Sequence, residues 1–329
     1  MNLSLSVIIP THKRTDILRQ CLECLAKQTI LTQIEVIVVS DGPDERTAEM
    51  IQSLSWPFAL QYFAIPKSQQ GVARNRAVEK ARAPYCLLLG DDIFLARDAC
   101  EKHLDAHAKL QDPNSKFQTS SNFRISKPQP QPLVVVLGFT TWDPTLRITP
   151  VMRWMEKSGV QFGYPKIQQY AHDFIPVLQQ HFFTYTSNLS LPSKLLYQNK
   201  FLEGLSLYGW EDIEWGKRLA AKGISLFYES DARGYHHHAF TDREVFERSE
   251  KLGISAVEME RLVPGLILSP RGWKKTAYCF RSLLPTYWGR HCRAFLRGMR
   301  EAMARRRSQP QPQPSHAACA NEAIFSFTS

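Results

Sequence analysis

The chain has 329 residues, 43% of them hydrophobic and 22% charged, with a formal net charge of +10 at pH 7. No apolar run is long enough to span a bilayer, and the start lacks both the basic residues and the cleavage site of a signal peptide. We therefore expect a soluble, cytoplasmic protein with one large core or two smaller ones. The seven cysteines lack disulfide spacing, which favours reduced thiols, and Cys21 and Cys24 form only a weak zinc or redox candidate.

The positive charge is concentrated near the end of the chain. Residues 1–260 carry 29 Lys and Arg against 29 Asp and Glu, whereas residues 261–307 carry 12 basic residues and a single acid, Glu301. The first range predicts a charge-balanced folded domain and the second a basic amphipathic helical tail. The Gln-Pro repeat that follows predicts a disordered end over 308–329.

Strand and helix patterns alternate through the first hundred residues. Short runs rich in Val, Ile and Leu predict strands over 5–9, 35–39, 60–65 and 85–89. Amphipathic spacing predicts intervening helices over 15–28, 47–54 and 72–81. This order predicts an α/β fold with a doubly wound, mostly parallel sheet and helices on both faces. Further patterns predict strands over 133–139 and 224–228, a helix over 211–222 and a loop over 126–132.

Polar residues follow three of the predicted strands. The ligand crevice of an open α/β sheet lies outside the carboxyl ends of its strands, so we expect these residues to converge on one rim. The adjacent carboxylates of Asp91 and Asp92 are hard oxygen ligands, the kind that Mg²⁺ or Mn²⁺ prefers when it carries a phosphate. Turn-forming acids are the alternative interpretation of this pair. The rim comprises Pro10, Thr11, His12, Lys13, Arg14, Ser40, Asp41, Gly42, Gly90, Asp91 and Asp92.

Two common nucleotide-binding motifs are absent from the sequence. There is no Gly-x-x-x-x-Gly-Lys-Ser/Thr, and no Gly-x-Gly-x-x-Gly follows the first predicted strand. Their absence argues against a P-loop ATPase and against a dinucleotide enzyme of the usual type. The phosphates of a nucleotide must then be held in another way.

Five short blocks follow one another along residues 3–250. They are Val7-Ile8-Ile9-Pro10-Thr11, Val38-Val39-Ser40-Asp41-Gly42, Gly71-Val72-Ala73-Arg74-Asn75, Gly90-Asp91-Asp92 and Gly209-Trp210-Glu211-Asp212. In this order the blocks resemble those of family 2, the inverting nucleotide-sugar glycosyltransferases with the GT-A fold. The resemblance implies metal-dependent transfer of a sugar from a nucleotide diphosphate, with UDP-sugars favoured. The acceptor would be a saccharide or a lipid-linked molecule in polysaccharide or glycolipid biosynthesis.

The resemblance also implies roles for the donor-binding residues. Thr11 and Asp41 would contact the base and ribose of the donor, and Asp91 would point towards the ribose. A turn-capping acid is the alternative for Asp41. Arg74 and Arg76 lie at the start of a predicted helix, whose N-terminus favours phosphate. A solvated helix face is the alternative for these two arginines.

The metal block departs from the commonest family pattern of three acids in a row, because Gly90 stands first. The resemblance assigns the ion, Mn²⁺ or Mg²⁺, chiefly to Asp92. A histidine of the run 236–238 would complete the site, and imidazole suits Mn²⁺ better than Mg²⁺. We favour His236, against the alternative of a surface cluster without a ligand role. Strand alternation predicts that His236 and His238 lie on one face and His237 on the other.

Inverting transfer needs one base that takes the proton of the acceptor hydroxyl during in-line attack. Glu211 and Asp212 begin a predicted helix, where acids also stabilise the helix dipole without any catalytic role. The resemblance makes Asp212 the base, with Glu211 as the second candidate.

The predicted tail interleaves basic residues with aromatic and aliphatic ones. Such a helix can lie on anionic lipid, so residues 261–307 predict peripheral association with the inner face of the plasma membrane. Packing of an ordinary amphipathic helix on the body is the alternative. No nucleic-acid recognition module is present, so we expect no nucleic-acid partner. A nucleotidyltransferase on a related α/β sheet and a catalytically silent sugar-binding protein remain as alternative functions.

Overall fold

Four parallel strands form the first half of the sheet. The computed structural model describes residues 3–112, 133–204 and 208–308. The strands are β1 (Leu5–Thr11), β2 (Ile34–Asp41), β3 (Ala59–Ile65) and β4 (Tyr85–Leu89), in the spatial order β3-β2-β1-β4. Helices α1 (Thr15–Leu25), α2 (Glu45–Ser53) and α3 (Gln70–Val78) separate them along the chain. Because the strands are parallel, their carboxyl ends meet at one edge of the sheet.

The second half of the sheet is mixed. Its strands are β5 (Ile93–Leu95), β6 (Val134–Trp142), β7 (Asp173–Phe174), β8 (Asn188–Pro192) and β9 (Ser225–His236). The accompanying helices are α4 (Ala99–Gln111), α5 (Pro150–Ser158), α6 (Val177–Gln180), α7 (Ser193–Gln198) and α8 (Glu211–Ala221). The spatial order continues from β4 as β8-β6-β9-β5, with β8 antiparallel to both β4 and β6. The predicted α/β class is confirmed, and the uniformly parallel part is β1 to β4.

The core forms where α1 covers the first strands. All seven residues of β1 are buried, as the unbroken apolar run predicts for a central parallel strand. Alternate residues of β1 pack with one face of α1, because strand side chains alternate and helical ones recur every three or four positions. The shared cluster includes Leu5, Val7, Ile9, Leu18, Cys21, Leu22 and Leu25.

Local capping explains where the observed helices differ from the predicted ones. The helix predicted from residue 47 begins at Glu45, because Asp44 caps it by accepting from the Thr47 backbone N–H at 3.2 Å. The helix α1 ends at Leu25 rather than at residue 28. Helix α4 and strand β5 had no counterpart among the predicted elements. The loop predicted over 126–132 lies outside the described residues.

The chain divides into two compact units, Met1–Val245 and Phe246–Ser329. Three helices are described in the later part of the chain: α9 (Asp242–Leu262), α10 (Trp273–Arg281) and α11 (Tyr287–Ser308). The domain boundary predicted at residue 260 falls inside the continuous helix α9, whereas the division lies near the start of that helix. The end predicted to be disordered lies outside the described residues, apart from Ser308, the last residue of α11.

Helices α9 and α11 pack closely against each other. A Cβ atom at Gly253 would collide with the backbone of Phe295, and one at Gly298 would collide with the backbone of Glu250. Ser249 Oγ and His291 Nδ1 share a hydrogen bond of 2.9 Å across the same contact. The two glycines therefore permit a close helix crossing, and this packing explains why α9 belongs largely to the second unit.

Helix α10 differs from α11 because none of its residues is buried. Trp273 is 76% exposed and Phe280 is 69% exposed, and their spacing of seven residues places them on one helix face. Within the described ranges, every helix is too short or too polar to cross a bilayer.

Candidate active site

The predicted rim is formed by the carboxyl ends of β1, β2 and β4. Pro10 is buried within β1 opposite Val39 of β2, and the next residue, Thr11, lies opposite Ser40. The hydroxyl of Thr11 donates to Asp91 Oδ2 at 2.8 Å. This hydrogen bond joins the loop after β4 to the end of β1, as the parallel arrangement predicts.

Arg14 bridges both acids of the loop after β4. Its Nη1 donates to Asp91 Oδ1 at 2.8 Å and its Nη2 donates to Asp92 Oδ2 at 2.9 Å. Both carboxylates are largely buried, and the guanidinium is partly exposed. A forked cation that contacts two adjacent carboxylates offsets their mutual repulsion.

The two acids have opposite pKa shifts. Burial and the charge of Asp92 raise the pKa of Asp91 to about 7. Burial also opposes ionisation of Asp92, but the hydrogen bond and charge of His236, together with Arg14, outweigh it and lower the pKa of Asp92. Asp92 is therefore the acid of this pair that stays ionised at neutral pH.

Sheet pairing brings His236 to Asp92, although 144 residues separate them in the chain. His236 ends β9, where it pairs with Ile93 of β5 and with Trp142 of β6. Its Nε2 lies 3.1 Å from Asp92 Oδ2. Its Nδ1 is buried and has no hydrogen-bond partner among the described residues. The ring is held by aromatic neighbours instead, with Trp142 and Phe162 at centroid distances of 5.4 and 5.1 Å.

The neighbouring histidines follow the alternation of a strand. The rings of His236 and His238 stack at 5.8 Å. The ring of His237 stacks on Phe94 instead, and its Nδ1 lies 2.7 Å from Asp143 Oδ2. Of the three, His236 is the one whose ring nitrogen contacts the Asp92 carboxylate, whereas the His237 backbone N–H donates to the Asp92 carbonyl oxygen at 2.8 Å.

The geometry at Asp92 and His236 fits a divalent ion. Two ligands that bind an ion at right angles, each about 2.1 Å away, lie about 3.0 Å apart. The observed separation of Asp92 Oδ2 and His236 Nε2 is 3.1 Å. One carboxylate oxygen and one imidazole nitrogen form a donor set that suits Mn²⁺ better than Mg²⁺.

Asp41 ends β2 and is engaged by the loop after β3. Lys67 Nζ donates to Asp41 Oδ2 at 2.6 Å, and the Ser68 backbone N–H donates to Oδ1 at 2.6 Å. Neither Lys67 nor Ser68 was among the predicted site residues. Their position in the sequence could have indicated them. Both residues follow the strand predicted over 60–65, and the carboxyl end of that strand belongs to the same rim.

The two arginines of α3 lie in different surroundings. Arg74 is 2% exposed, with its Nη2 3.4 Å from both Gln70 Oε1 and the Thr186 carbonyl oxygen. Arg76 lies at the surface, where it forms an ion pair with Glu203 at 2.9 Å. The structure thus brings neither arginine to Asp91 or Asp92, and their predicted phosphate contacts remain predictions.

A second acid pair lies at the start of α8. Gly209 and Trp210 before it both have positive φ angles, and this turn places Glu211 and Asp212 at the helix N-terminus. Thr186 holds Asp212 with two bonds, from its Oγ1 at 2.8 Å and from its backbone N–H at 3.3 Å. Thr186 was not predicted, because it lies in a loop 26 residues earlier that has no motif of its own.

Only one of the two carboxylate oxygens of Glu211 has a hydrogen-bond partner among the described residues. Its Oε1 accepts from the side-chain amide of Gln70, while its Oε2 is buried and has no hydrogen-bond partner in the described parts of the chain. Burial of the carboxyl groups raises the pKa of Glu211 and of Asp212, and the charge of Arg74 opposes both shifts. A carboxylate with a raised pKa is a better proton acceptor near neutral pH, which is the property required of a general base.

Comparison with known proteins identifies the family. The profile of glycosyl transferase family 2 matches residues 6–133. This part of the chain belongs to glycosyl transferase family 2. The matched range contains the rim residues from Pro10 to Asp92.

Two named proteins are similar to this chain over most of its length. Validoxylamine A glucosyltransferase of Streptomyces hygroscopicus subsp. jinggangensis (strain 5008) is 27% identical over 239 residues, which cover 70% of this chain and 54% of that protein. Chondroitin synthase of Pasteurella multocida (strain Pm70) is 24% identical over 298 residues, which cover 86% of this chain and 28% of that protein. The chain thus spans about half the length, or less, of these two relatives.

A solved structure has a similar fold. It is the mannosyltransferase PcManGT from Pyrobaculum calidifontis, in complex with GDP-Man and Mn²⁺. The TM-score is 0.54 at 14% sequence identity, and the match covers 98% of this chain and 80% of that chain. At this identity the likeness concerns the fold, which is that of the GT-A glycosyltransferases.

Proposed function

We propose that this chain is an inverting, metal-dependent glycosyltransferase that moves a sugar from a nucleotide diphosphate to an acceptor hydroxyl. The observation that carries the proposal is the contact of His236 with Asp92 at the rim formed by β1, β2 and β4. A metal-binding pair at this rim, together with a second acid pair at α8, supplies the two functions that the reaction needs. These are neutralisation of the leaving group and acceptance of a proton.

Thr11 and Asp41 are the proposed contacts to the base and ribose of the donor. Both lie at strand ends on the rim, and the Asp41 carboxylate is held by Lys67 and Ser68. We favour a UDP-sugar, in which the imide of uracil would donate to Asp41. Pro10, Arg14 and Asp91 complete the proposed donor site, with Arg74 and Arg76 as further candidates for phosphate contact.

Asp92 and His236 are the residues that would hold the divalent ion, Mn²⁺ or Mg²⁺. The ion supplies positive charge that neutralises the diphosphate as it leaves. The lowered pKa of Asp92 keeps that ligand ionised at neutral pH. The Mn²⁺ in the structure of the mannosyltransferase PcManGT, which has a similar fold, supports the assignment.

Asp212 is the proposed general base. Two hydrogen bonds from Thr186 fix the direction of its carboxyl group, and burial raises its pKa. Glu211 is the second candidate, because its Oε2 has no partner within the described residues. A single base that accepts the proton of the acceptor hydroxyl during in-line attack leads to inversion at the anomeric carbon.

A donor screen tests the proposed function. The purified chain is incubated with UDP-sugars and GDP-sugars and with Mn²⁺ or Mg²⁺, and release of nucleotide diphosphate is scored. We expect release with at least one donor, and its loss on addition of a chelator. A matched control is Asp105→Ala, which removes an exposed acid on α4 and should leave release unchanged. Metal-dependent release that survives in Asp92→Ala would contradict the assigned site.

We also propose that the basic tail contacts an anionic membrane, as suits a lipid-linked acceptor. The face of α10 with Trp273 and Phe280 is exposed, and Leu283 just beyond the helix is exposed as well. Lys274 and Lys275 lie beside this face, and both are exposed. Aromatic residues flanked by lysines are typical of helices that lie in the bilayer interface. Helix α11 packs on the part of α9 that belongs to the same compact unit.

Liposome sedimentation tests this contact in the full chain. The double variant Trp273→Glu with Phe280→Glu should lose binding to anionic vesicles at low salt, since it places charge on the apolar face. The control, Val177→Glu with Leu178→Glu, introduces the same two negative charges at exposed positions of α6 and should bind normally. Binding that persists in the double variant would remove α10 from the proposal. We avoid deleting the tail, because that would expose the face of α9 that α11 covers.

A further inference from the structure

We propose that Arg14 is an exchangeable counter-cation, which neutralises Asp91 and Asp92 until a divalent ion and a nucleotide diphosphate displace it, and which then pairs with the diphosphate. The inference rests on the proposed function, because it assumes that Asp92 and His236 hold the ion. It assigns to Arg14 a role that is separate from metal ligation and from catalysis.

The first argument is that Arg14 and the ion would need the same atom. Asp92 Oδ2 accepts from Arg14 Nη2 at 2.9 Å and also lies 3.1 Å from His236 Nε2. An ion held between Asp92 and His236 would therefore sit directly beside the guanidinium. Two cations in contact at a largely buried carboxylate repel each other strongly, because little water screens them.

The second argument is charge balance. The two carboxylates carry at most two negative charges, so at most one remains beside the Arg14 guanidinium, and among the described residues the only other ion-pair partner of either acid is His236. A divalent ion alone would neutralise the two carboxylates completely. The site therefore has enough negative charge for one of the two cations. It can hold both only after a diphosphate has added further negative charge.

The third argument is that the side chain of Arg14 reaches the surface and makes no capping hydrogen bond to α1. It is 33% exposed, in contrast to the buried carboxylates that it contacts. Arg14 lies at the N-cap position of α1, where its φ and ψ angles are not helical. Its side chain makes no hydrogen bond that caps the helix. An arginine released from the carboxylates at this rim can bind phosphate oxygens with the same forked geometry.

Calorimetry of Mn²⁺ binding without nucleotide tests the exchange. The variant Arg14→Gln removes the charge but keeps a polar side chain. The variant Arg14→Lys keeps the charge but loses the guanidinium that donates from two nitrogens. We expect Arg14→Gln to bind Mn²⁺ at least about tenfold more tightly than the wild type, since a neighbouring charge changes ionic equilibria by one to three powers of ten. The Mn²⁺ affinity of Arg14→Lys should lie between those of Arg14→Gln and the wild type.

The same variants are then titrated with UDP at saturating Mn²⁺. Arg14→Gln should bind UDP more weakly than the wild type, so that metal and nucleotide affinities change in opposite directions. Arg46→Gln, which removes an exposed cation of α2 that pairs with Asp16, controls for a general charge effect and should change neither affinity. Thermal melting verifies that each variant is folded.

The outcomes separate this inference from the proposed function. Unchanged or weaker Mn²⁺ binding in Arg14→Gln overturns the exchange, while Asp92→Ala can still lose metal binding and so preserve the metal site. Tighter Mn²⁺ binding without weaker UDP binding overturns the transfer of Arg14 to the diphosphate. If neither the wild type nor any variant binds Mn²⁺ without nucleotide, the exchange fails, and the metal requirement of the proposed function fails as well if UDP binding is the same with and without Mn²⁺.

Discussion

Asp91 with Asp92, and Glu211 with Asp212, are both pairs of adjacent acids, and each pair lies near an arginine. The first pair is bridged by Arg14 through two short hydrogen bonds at a partly exposed position. The second pair lies near the buried Arg74, whose hydrogen bonds to Gln70 and Thr186 are long, at 3.4 Å each. Two nitrogens of Arg74, Nε and Nη1, are buried without a partner among the described residues.

This difference explains the different pKa shifts of the two pairs. In the first pair the shifts diverge, so that the pKa of Asp91 is raised and that of Asp92 is lowered. In the second pair burial raises the pKa of both acids. A site with one acid that stays ionised suits the binding of a metal ion. A site whose acids have raised pKa values suits the acceptance of a proton. The environment of each pair thus favours a different chemical task.

The largest effect is expected at the first pair. Asp92→Ala should abolish metal-dependent UDP binding while the fold is retained, because Asp92 follows β4 and lies outside the hydrophobic core. Calorimetry with UDP and Mn²⁺ measures this loss. If Asp92→Ala retains the metal-dependent affinity of the wild type, the first pair is not the cation site.

The next largest effect is expected at the second pair. Asp212→Asn should reduce turnover by about two to four orders of magnitude, the usual contribution of general base catalysis, with donor affinity little changed. Steady-state kinetics with the donor found in the screen, together with UDP binding, measures both quantities. A severe loss in Glu211→Gln with a mild one in Asp212→Asn would reverse the roles of the two acids.

A smaller effect is expected when the charge of Arg74 is removed. Because that charge lowers the pKa of Glu211 and of Asp212, Arg74→Met should raise the pKa of the base. The acidic limb of the pH-rate profile should then move to higher pH, with about a tenfold loss of turnover at neutral pH that recovers as the pH rises. Arg76→Met, two residues along the same helix and at the surface, should leave the profile in place. An unshifted limb in Arg74→Met would show that Arg74 does not influence the base.

The smallest effect is expected at Thr186. Thr186→Val removes the hydroxyl that donates to Asp212 Oδ1 but keeps the backbone N–H bond and the size of the side chain. We expect kcat to fall about fivefold to tenfold with KM for the donor unchanged, which corresponds to about 1 kcal/mol, the usual net contribution of one hydrogen bond. Thr186→Ser should recover most of the loss. An equal loss in Thr186→Ser would indicate a packing role instead.

The rim could be predicted from the sequence because it depends on a local rule. Each of Thr11, Asp41 and Asp91 follows an apolar strand, and parallel strands place their carboxyl ends at one edge. The same rule would have identified Lys67 and Ser68 after β3. The partners of the second pair, Gln70 and Thr186, could not be found in this way, because no periodicity relates them to α8.

The sequence by itself determined the α/β fold class, the rim residues and the two acid pairs, since these follow from strand and helix patterns and from ordered motifs. Only the tertiary structure decided which charges meet. It placed Arg14 on both carboxylates, Arg74 beside the second pair, and His236 on Asp92 through pairing of β9 with β5 and β6. It also separated α11, which packs on α9, from α10, which remains exposed. These contacts join residues far apart in the chain, and they depend on sheet order and helix crossing, which local patterns do not encode.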